Sequence, residues 1–134
     1  LDFPVLYASG RGGYAGPTDD VRSGDLTPLF EKIVGHVPPP SGDPDAPFRM
    51  LVSLLDRDNF LGRILTGRVM SGTLKVNSQI HALNPDSTVA EVGRASKIFA
   101  FRGLERVPVD EAKAGDIIAL AGLTKATVAD TIAE

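Results

Sequence analysis

Cysteine is absent from the 134-residue chain. That excludes disulfides and thiolate metal sites, and it fits a reducing compartment, so we expect a cytoplasmic protein. No run approaches the ~18 consecutive apolar residues of a membrane-spanning helix, so no membrane partner is expected. Leu1-Asp2-Phe3-Pro4 lacks the basic start of a signal peptide. The chain also begins without Met, which points to a piece excised from a longer protein. There is no G-x-x-x-x-G-K-S/T run, hence no phosphate-cradling loop. Gly10-Arg11-Gly12-Gly13 is glycine-rich but lacks the Lys and hydroxyl that phosphate and Mg²⁺ require, and it reads as a loop. A strong charge of one sign is missing too. The net charge is −3, with three basic and seven acidic side chains in residues 1–47 against eleven and ten in residues 48–134. A near-neutral module does not advertise nucleic-acid binding by bulk charge, so no DNA partner is expected and any RNA contact must come from a local patch.

What is present divides the chain into two kinds of pattern. Phe3 to Ser9 is short, apolar and without alternation, as in a strand buried on both faces of a parallel sheet. A polar Gly/Asp-rich loop follows. Thr27 is the expected helix N-cap, Pro28 suits the first helical position, and Leu29, Phe30, Ile33, Val34 and Val37 form one apolar stripe. That stripe is expected to be covered, by the rest of the chain or by a second one. Pro38-Pro39-Pro40 ends the helix. We read 38–47 as a Pro-rich linker between a first region, 1–37, and a second, 48–134.

From Phe48 the pattern becomes many short strands with turn signals between them, the signature of a small six-stranded antiparallel barrel. Phe48, Met50, Val52 and Leu54 are expected on one face, with Arg49, Leu51, Ser53 and Leu55 on the other. Gly62 to Met70 is the second strand. Thr88 to Phe101 is a long mixed strand region, and Asp110 to Gly115 reads as a turn or single helical turn. Gly67 is expected to let a neighbouring backbone approach, and Gly72 to supply a positive φ; Val69, Leu74 and Val76 face the core.

No residues present themselves for catalysis. His36 and His81 are far apart, with no ligand set near either. Asp56-Arg57-Asp58-Asn59 starts like a calcium loop, then places Phe60 and Leu61 where the pattern fails, so no metal site is expected. One basic cluster is notable. Arg94, Lys97, Arg102 and Arg106 lie close together, with only Glu105 opposing them and with Phe99 and Phe101 between. Either this is a solvated strand face or it is a phosphate-contacting patch. Parity along a strand favours Arg94, Arg102 and Arg106 as the RNA-binding set, with Lys97 off the face.

The run Gly62-Arg63-Ile64-Leu65-Thr66-Gly67-Arg68-Val69-Met70-Ser71-Gly72-Thr73-Leu74-Lys75-Val76 resembles the G-R-x-x-x-G-R-V-x-x-G-x-x-K-V run of translation-factor second domains, as in elongation factor Tu. Ala114-Gly115-Asp116-Ile117-Ile118-Ala119-Leu120 resembles a second motif of the same domains, so the likeness covers residues 48–134. In the first third, Tyr7-Ala8-Ser9, Gly13-Tyr14-Ala15-Gly16, Asp20 to Asp25, and Leu29-Phe30 followed by His36-Val37-Pro38 are similar to the end of the GTP-binding domain of the BipA/TypA family of translational GTPases. The resemblance implies a Greek-key barrel preceded by a strand–loop–helix remnant of an α/β GTP-binding domain. It implies a parent that binds GTP and Mg²⁺, associates with the ribosome through small-subunit RNA, docks this barrel on its own GTP-binding domain, and acts in ribosome assembly, translation or stress adaptation. Ser9 and Gly10 fall where that family contacts guanine, with Gly10 in place of the usual Ala. With neither a phosphate loop nor an N-K-x-D run, this stretch itself is expected to hold no cofactor and to be catalytically inactive. Three alternatives stay open: the second domain of an elongation factor G or LepA type factor; an autonomous ligand- or flavin-binding barrel, which lacks support from any R-x-Y-S-like signature; and a purely structural spacer domain.

Overall fold

The computed structural model describes residues 3–134, and the chain divides into two compact units, Leu1–Pro39 and Pro40–Glu134.

The first unit holds β1 (Tyr7–Ser9), β2 (Tyr14–Gly16) and α1 (Thr27–His36). The expected strand buried in a parallel sheet is instead the first arm of an antiparallel hairpin, with Tyr7 opposite Gly16 and Ser9 opposite Tyr14. The reason is local. Gly13 takes φ 70°, its N–H donates to the Ser9 carbonyl at 2.8 Å, and Gly12 N–H donates to Ser9 Oγ at 3.0 Å, so the chain turns back at once. A parallel partner needs a long crossover connection to another strand, and none is present among the described residues. The helix begins at Thr27, but Thr27 is not its N-cap. Leu26 occupies that position, and the Asp25 carboxylate instead accepts the Thr27 N–H at 2.8 Å. That bond holds the Asp25 carboxyl below its usual range. Val37 N–H closes the last turn on the Ile33 carbonyl, and the prolines prevent continuation. The apolar stripe is not covered: no residue of α1 is buried, and Phe30, Ile33, Val34 and Val37 are exposed, Val34 at 82%.

The second unit is built from ten strands: β3 (Arg49–Asp58), β4 (Gly62–Ser71), β5 (Thr73–Lys75), β6 (Gln79–Leu83), β7 (Val89–Arg94), β8 (Lys97–Arg102), β9 (Glu105–Val109), β10 (Glu111–Lys113), β11 (Ile117–Ala121) and β12 (Thr131–Ala133). Eight of them form one antiparallel sheet in the order β7-β6-β12-β3-β4-β11-β8-β9, and β5 pairs with β10 in a ribbon of two. The expected closed six-stranded barrel is therefore not closed by a hydrogen-bond ladder. β7 and β8 are consecutive halves of one bent strand: β7 pairs with β6, β8 pairs with β11, and the buried Ala95 lies at the bend. The wall is thus carried across this gap by the chain itself. β9, with Pro108 lacking a ladder donor, ends the sheet as an edge. The stretch expected as a turn at 110–115 instead contains β10, because Glu111 to Lys113 finds an open partner in Thr73 to Lys75.

One face of this sheet encloses the core: Phe48, Met50, Leu65, Leu74, Ile98, Leu120 and Ile132 are among its fully buried side chains. Each contributes about 1.5–3 kcal/mol before entropy. The alternation expected along β3 holds for Phe48, Met50 and Val52 and then inverts. A register shift between Val52 and Leu54 inserts a bulge, so Leu54 is 64% exposed and Leu55 comes opposite the buried Leu65. Gly67 and Gly72 behave as expected. A Cβ on Gly67 would lie 2.0 Å from the Leu51 carbonyl oxygen, and Gly72, at φ 76°, leaves no room beside the Phe48 backbone. Residues 40–47 are not a free tether. The Asp43 carbonyl accepts Gly72 N–H at 2.8 Å, the Pro44 carbonyl accepts Thr73 Oγ1 at 3.0 Å, the Pro47 carbonyl accepts Ser71 Oγ at 2.8 Å, and the Ser41 carbonyl accepts from Arg68 at 3.2 Å.

Candidate functional site

The basic residues singled out in the sequence do not converge. Arg94 ends β7 beside the bend at Ala95, while Arg102 lies at the far end of β8, a full strand length away, and Arg106 on β9. Arg102 and Arg106 do not share a face either. In the β8–β9 hairpin Phe101 stands opposite Arg106 and Arg102 opposite Glu105, so the two arginines occupy adjacent rungs and point to opposite sides. The parity argument assumed one continuous strand, and the turn at Gly103-Leu104 reverses it. Two of the three arginines also have local company. Arg94 donates to the Asn77 carbonyl at 3.1 Å, and Arg106 pairs with Asp56 at 2.6 Å. The Arg106 hydrogen bond, helped by the Arg57 N–H, holds the Asp56 carboxyl below its usual range. Ser9 and Gly10 sit at the tip of the β1–β2 hairpin, where Ser9 Oγ and the Ser9 carbonyl are engaged by the turn.

A second place assembles more. The β3–β4 hairpin runs beyond the core, and its end forms one wall of a surface cleft of about 630 Å³ lined by Leu55, Asp56, Arg57, Gly62, Arg63 and Thr124. Arg57 and Arg63 are directly opposite each other across the two strands. Asp58 stands outside this pairing, accepting the Phe60 and Leu61 N–H groups at 2.8 and 2.9 Å, which keep its carboxyl low.

The far wall of the cleft is the loop after β11, and it is clamped from two directions. The Glu91 carboxylate on β7 accepts the N–H groups of Thr124, Lys125 and Ala126 and the Thr124 hydroxyl, the last at 2.7 Å. Arg63 on β4 donates to the carbonyls of Lys125 and Ala126, at 3.2 and 2.8 Å. Burial alone pushes the Glu91 carboxyl up, but these donors together outweigh it and the net direction is down. Sequence reasoning misses Glu91 altogether, and beyond the motif it gives Arg63, with Arg68, as either an extension of the basic patch or a brace for the neighbouring domain. No spacing pattern announces a carboxylate that meets a loop 33 residues away. The Arg57–Arg63 pairing was legible in principle, since a tight hairpin at Asn59-Phe60-Leu61 imposes it. Chemically the cleft offers two guanidinium groups, one carboxylate and one hydroxyl beside the apolar Leu55.

Residues 62–133 match the family described as Elongation factor Tu domain 2. The chain is 44% identical over 131 residues, 98% of its length, to the large ribosomal subunit assembly factor BipA of Synechocystis sp.. It is 42% identical to the protein of that name from Haemophilus influenzae over 100% of the chain, and 41% identical to that from Bacillus subtilis over 98%. In each case the chain spans about a fifth of the relative, 22%, 22% and 21% of its length. The mainly antiparallel second unit, the glycines that its close approaches require and the match over more than half of the chain agree: this chain belongs to the elongation factor Tu domain 2 family, and its likeness to BipA runs through both units.

Proposed function

We propose that the chain is the barrel module, with the preceding end of the GTP-binding domain, of a ribosome-associated translational GTPase of BipA type that acts in assembly of the large ribosomal subunit. The observation that carries this reading is that similarity to BipA extends over 98–100% of the chain, through β1, β2 and α1, and not over the barrel alone. In this reading GTP and Mg²⁺ are held by residues of the parent outside this stretch, with Ser9 and Gly10 meeting the guanine there. The barrel is a non-catalytic adaptor between the parent's own GTP-binding domain and ribosomal RNA, small-subunit RNA included, in the cytoplasm. Arg94, Arg102 and Arg106 supply separate phosphate contacts rather than one patch.

The test is ribosome co-sedimentation of the full-length protein across a salt series, with Arg94, Arg102 and Arg106 replaced by Ala. Each lost phosphate contact flattens the log–log salt slope by about 0.7–0.9. An unchanged affinity and slope in the folded variant assigns these arginines to a solvated surface. Calorimetry of the present chain with GTP should give no micromolar isotherm: two hydrogen bonds at about 1 kcal/mol each fall far short of the roughly 8 kcal/mol that micromolar affinity requires.

A further inference from the structure

Two arginines directly opposite each other on a β-ladder repel, and neighbouring acids ordinarily relieve such a pair. Here the neighbouring acids are already engaged. Asp56 is taken by Arg106 and by the Arg57 N–H, Asp58 by the Phe60 and Leu61 N–H groups, and Glu91 by the loop Thr124 to Ala126. Arg63 has one guanidinium nitrogen on the Lys125 and Ala126 carbonyls, which leaves its remaining donors for another partner. Among the described residues the Arg57 side chain has no hydrogen-bond or ion-pair partner, and it lines the cleft with Arg63. The clamp on the far wall matters as much. By bonding Thr124 to Ala126 at both N–H and carbonyl groups, Glu91 and Arg63 tie this loop to β7 and β4. Leu55, which the bulge turns to this side, provides apolar surface beside the two cations.

We propose that the cleft between the end of the β3–β4 hairpin and the Thr124–Ala126 loop is a phosphate-binding site, with Arg57 and Arg63 as the paired cations and Leu55 packing against whatever sugar or base accompanies the phosphate. The ligand is an anion able to sit between two guanidinium groups, which donate to phosphate oxygens in a planar fork. Two sources carry that chemistry, an RNA backbone and a free nucleotide or inorganic phosphate. The site takes neither of its two cations from Arg94, Arg102 and Arg106, although Arg106 reaches its rim through Asp56.

The experiment is a titration of the 134-residue chain at low salt, followed by amide chemical shifts, with three probes: a short oligouridylate, GTP and inorganic phosphate. Saturable shifts at Arg57, Gly62, Arg63 and Thr124 are expected, and the probe that produces them identifies the source. With oligouridylate as that source, Arg57→Ala flattens the salt slope by about 0.7, the single-strand value for one contact. Arg57→Glu abolishes binding while raising the melting temperature of the free protein by about 2 °C, because it turns a like-charge rung into an opposite-charge one. Lys75→Ala, which removes an exposed cation elsewhere on the barrel, leaves binding unchanged. The proposal is overturned if none of the three probes shifts these amides, if Arg57→Glu binds as well as the parent chain, or if Lys75→Ala weakens binding as much as Arg57→Ala.

Discussion

The two units of this chain have similar apolar content at the level of pattern and opposite fates in the structure. In Pro40–Glu134 the alternating residues of the long strands meet each other across one sheet, and sixteen buried side chains join one cluster. In Leu1–Pro39 the stripe of α1 is as regular as any strand pattern, yet none of its residues is buried, and Ala15 is the unit's one buried hydrophobic among the described residues. Periodicity records which face of an element is meant for burial. It does not supply the surface that buries it, and a hairpin of two three-residue strands offers too little area for a ten-residue helix.

The largest expected effect separates the units by a single pair of substitutions. Leu120→Ala in β11 removes a side chain with no exposed surface and should destabilise the second unit by about 3 kcal/mol, whereas Val34→Ala on α1 should leave the melting curve unchanged. Equal losses from the two would break the comparison. A smaller effect sharpens its boundary. A chain beginning at Pro40 should melt like the full chain's second unit. A chain beginning at Asp45 loses the Asp43 and Pro44 carbonyls that satisfy Gly72 N–H and Thr73 Oγ1, and should be about 1–2 kcal/mol less stable by denaturant titration.

Next comes the clamp. Glu91→Gln replaces charge-assisted hydrogen bonds to three backbone N–H groups with weaker ones and should cost about 2 kcal/mol. The pH dependence follows from the lowered Glu91 carboxyl. A carboxyl lowered in the folded state stabilises above its unfolded value and loses that contribution as pH falls through the folded one. The parent chain should therefore lose stability below the ordinary glutamate value of about 4.3, and the Glu91→Gln chain should lose less over the same window. The smallest effect is at the Arg106–Asp56 pair, where both side chains are exposed. Asp56→Asn should leave the thermal melt unchanged at physiological salt, because water and ions screen an exposed pair.

Much of this fold was legible in the residues, and where it was not the cause can be named. The Gly67 and Gly72 constraints, the buried Val69 and Leu74, and the strands from Gly62 to Leu83 follow from alternation and turn chemistry. Leu54 was misassigned because a bulge at Ser53 shifts the period by one, and nothing in the local composition marks it. Arg102 and Arg106 were put on one face because a tight turn at Gly103-Leu104 was read as continuous strand. β1 was given a parallel partner on the strength of its apolar run, but a strand pairs with what lies near it, and here that is Tyr14 to Gly16. The candidate cleft lay furthest out of reach, since Arg63, Glu91 and Thr124 come from three separate elements that meet only once the sheet has curled.

Native-state hydrogen exchange of the full chain reads both units in one sample. The account predicts that amides of β4 and β11 exchange only by global unfolding, while those of α1 exchange through local opening with little protection. Protection of the α1 amides equal to that of β11 would contradict it.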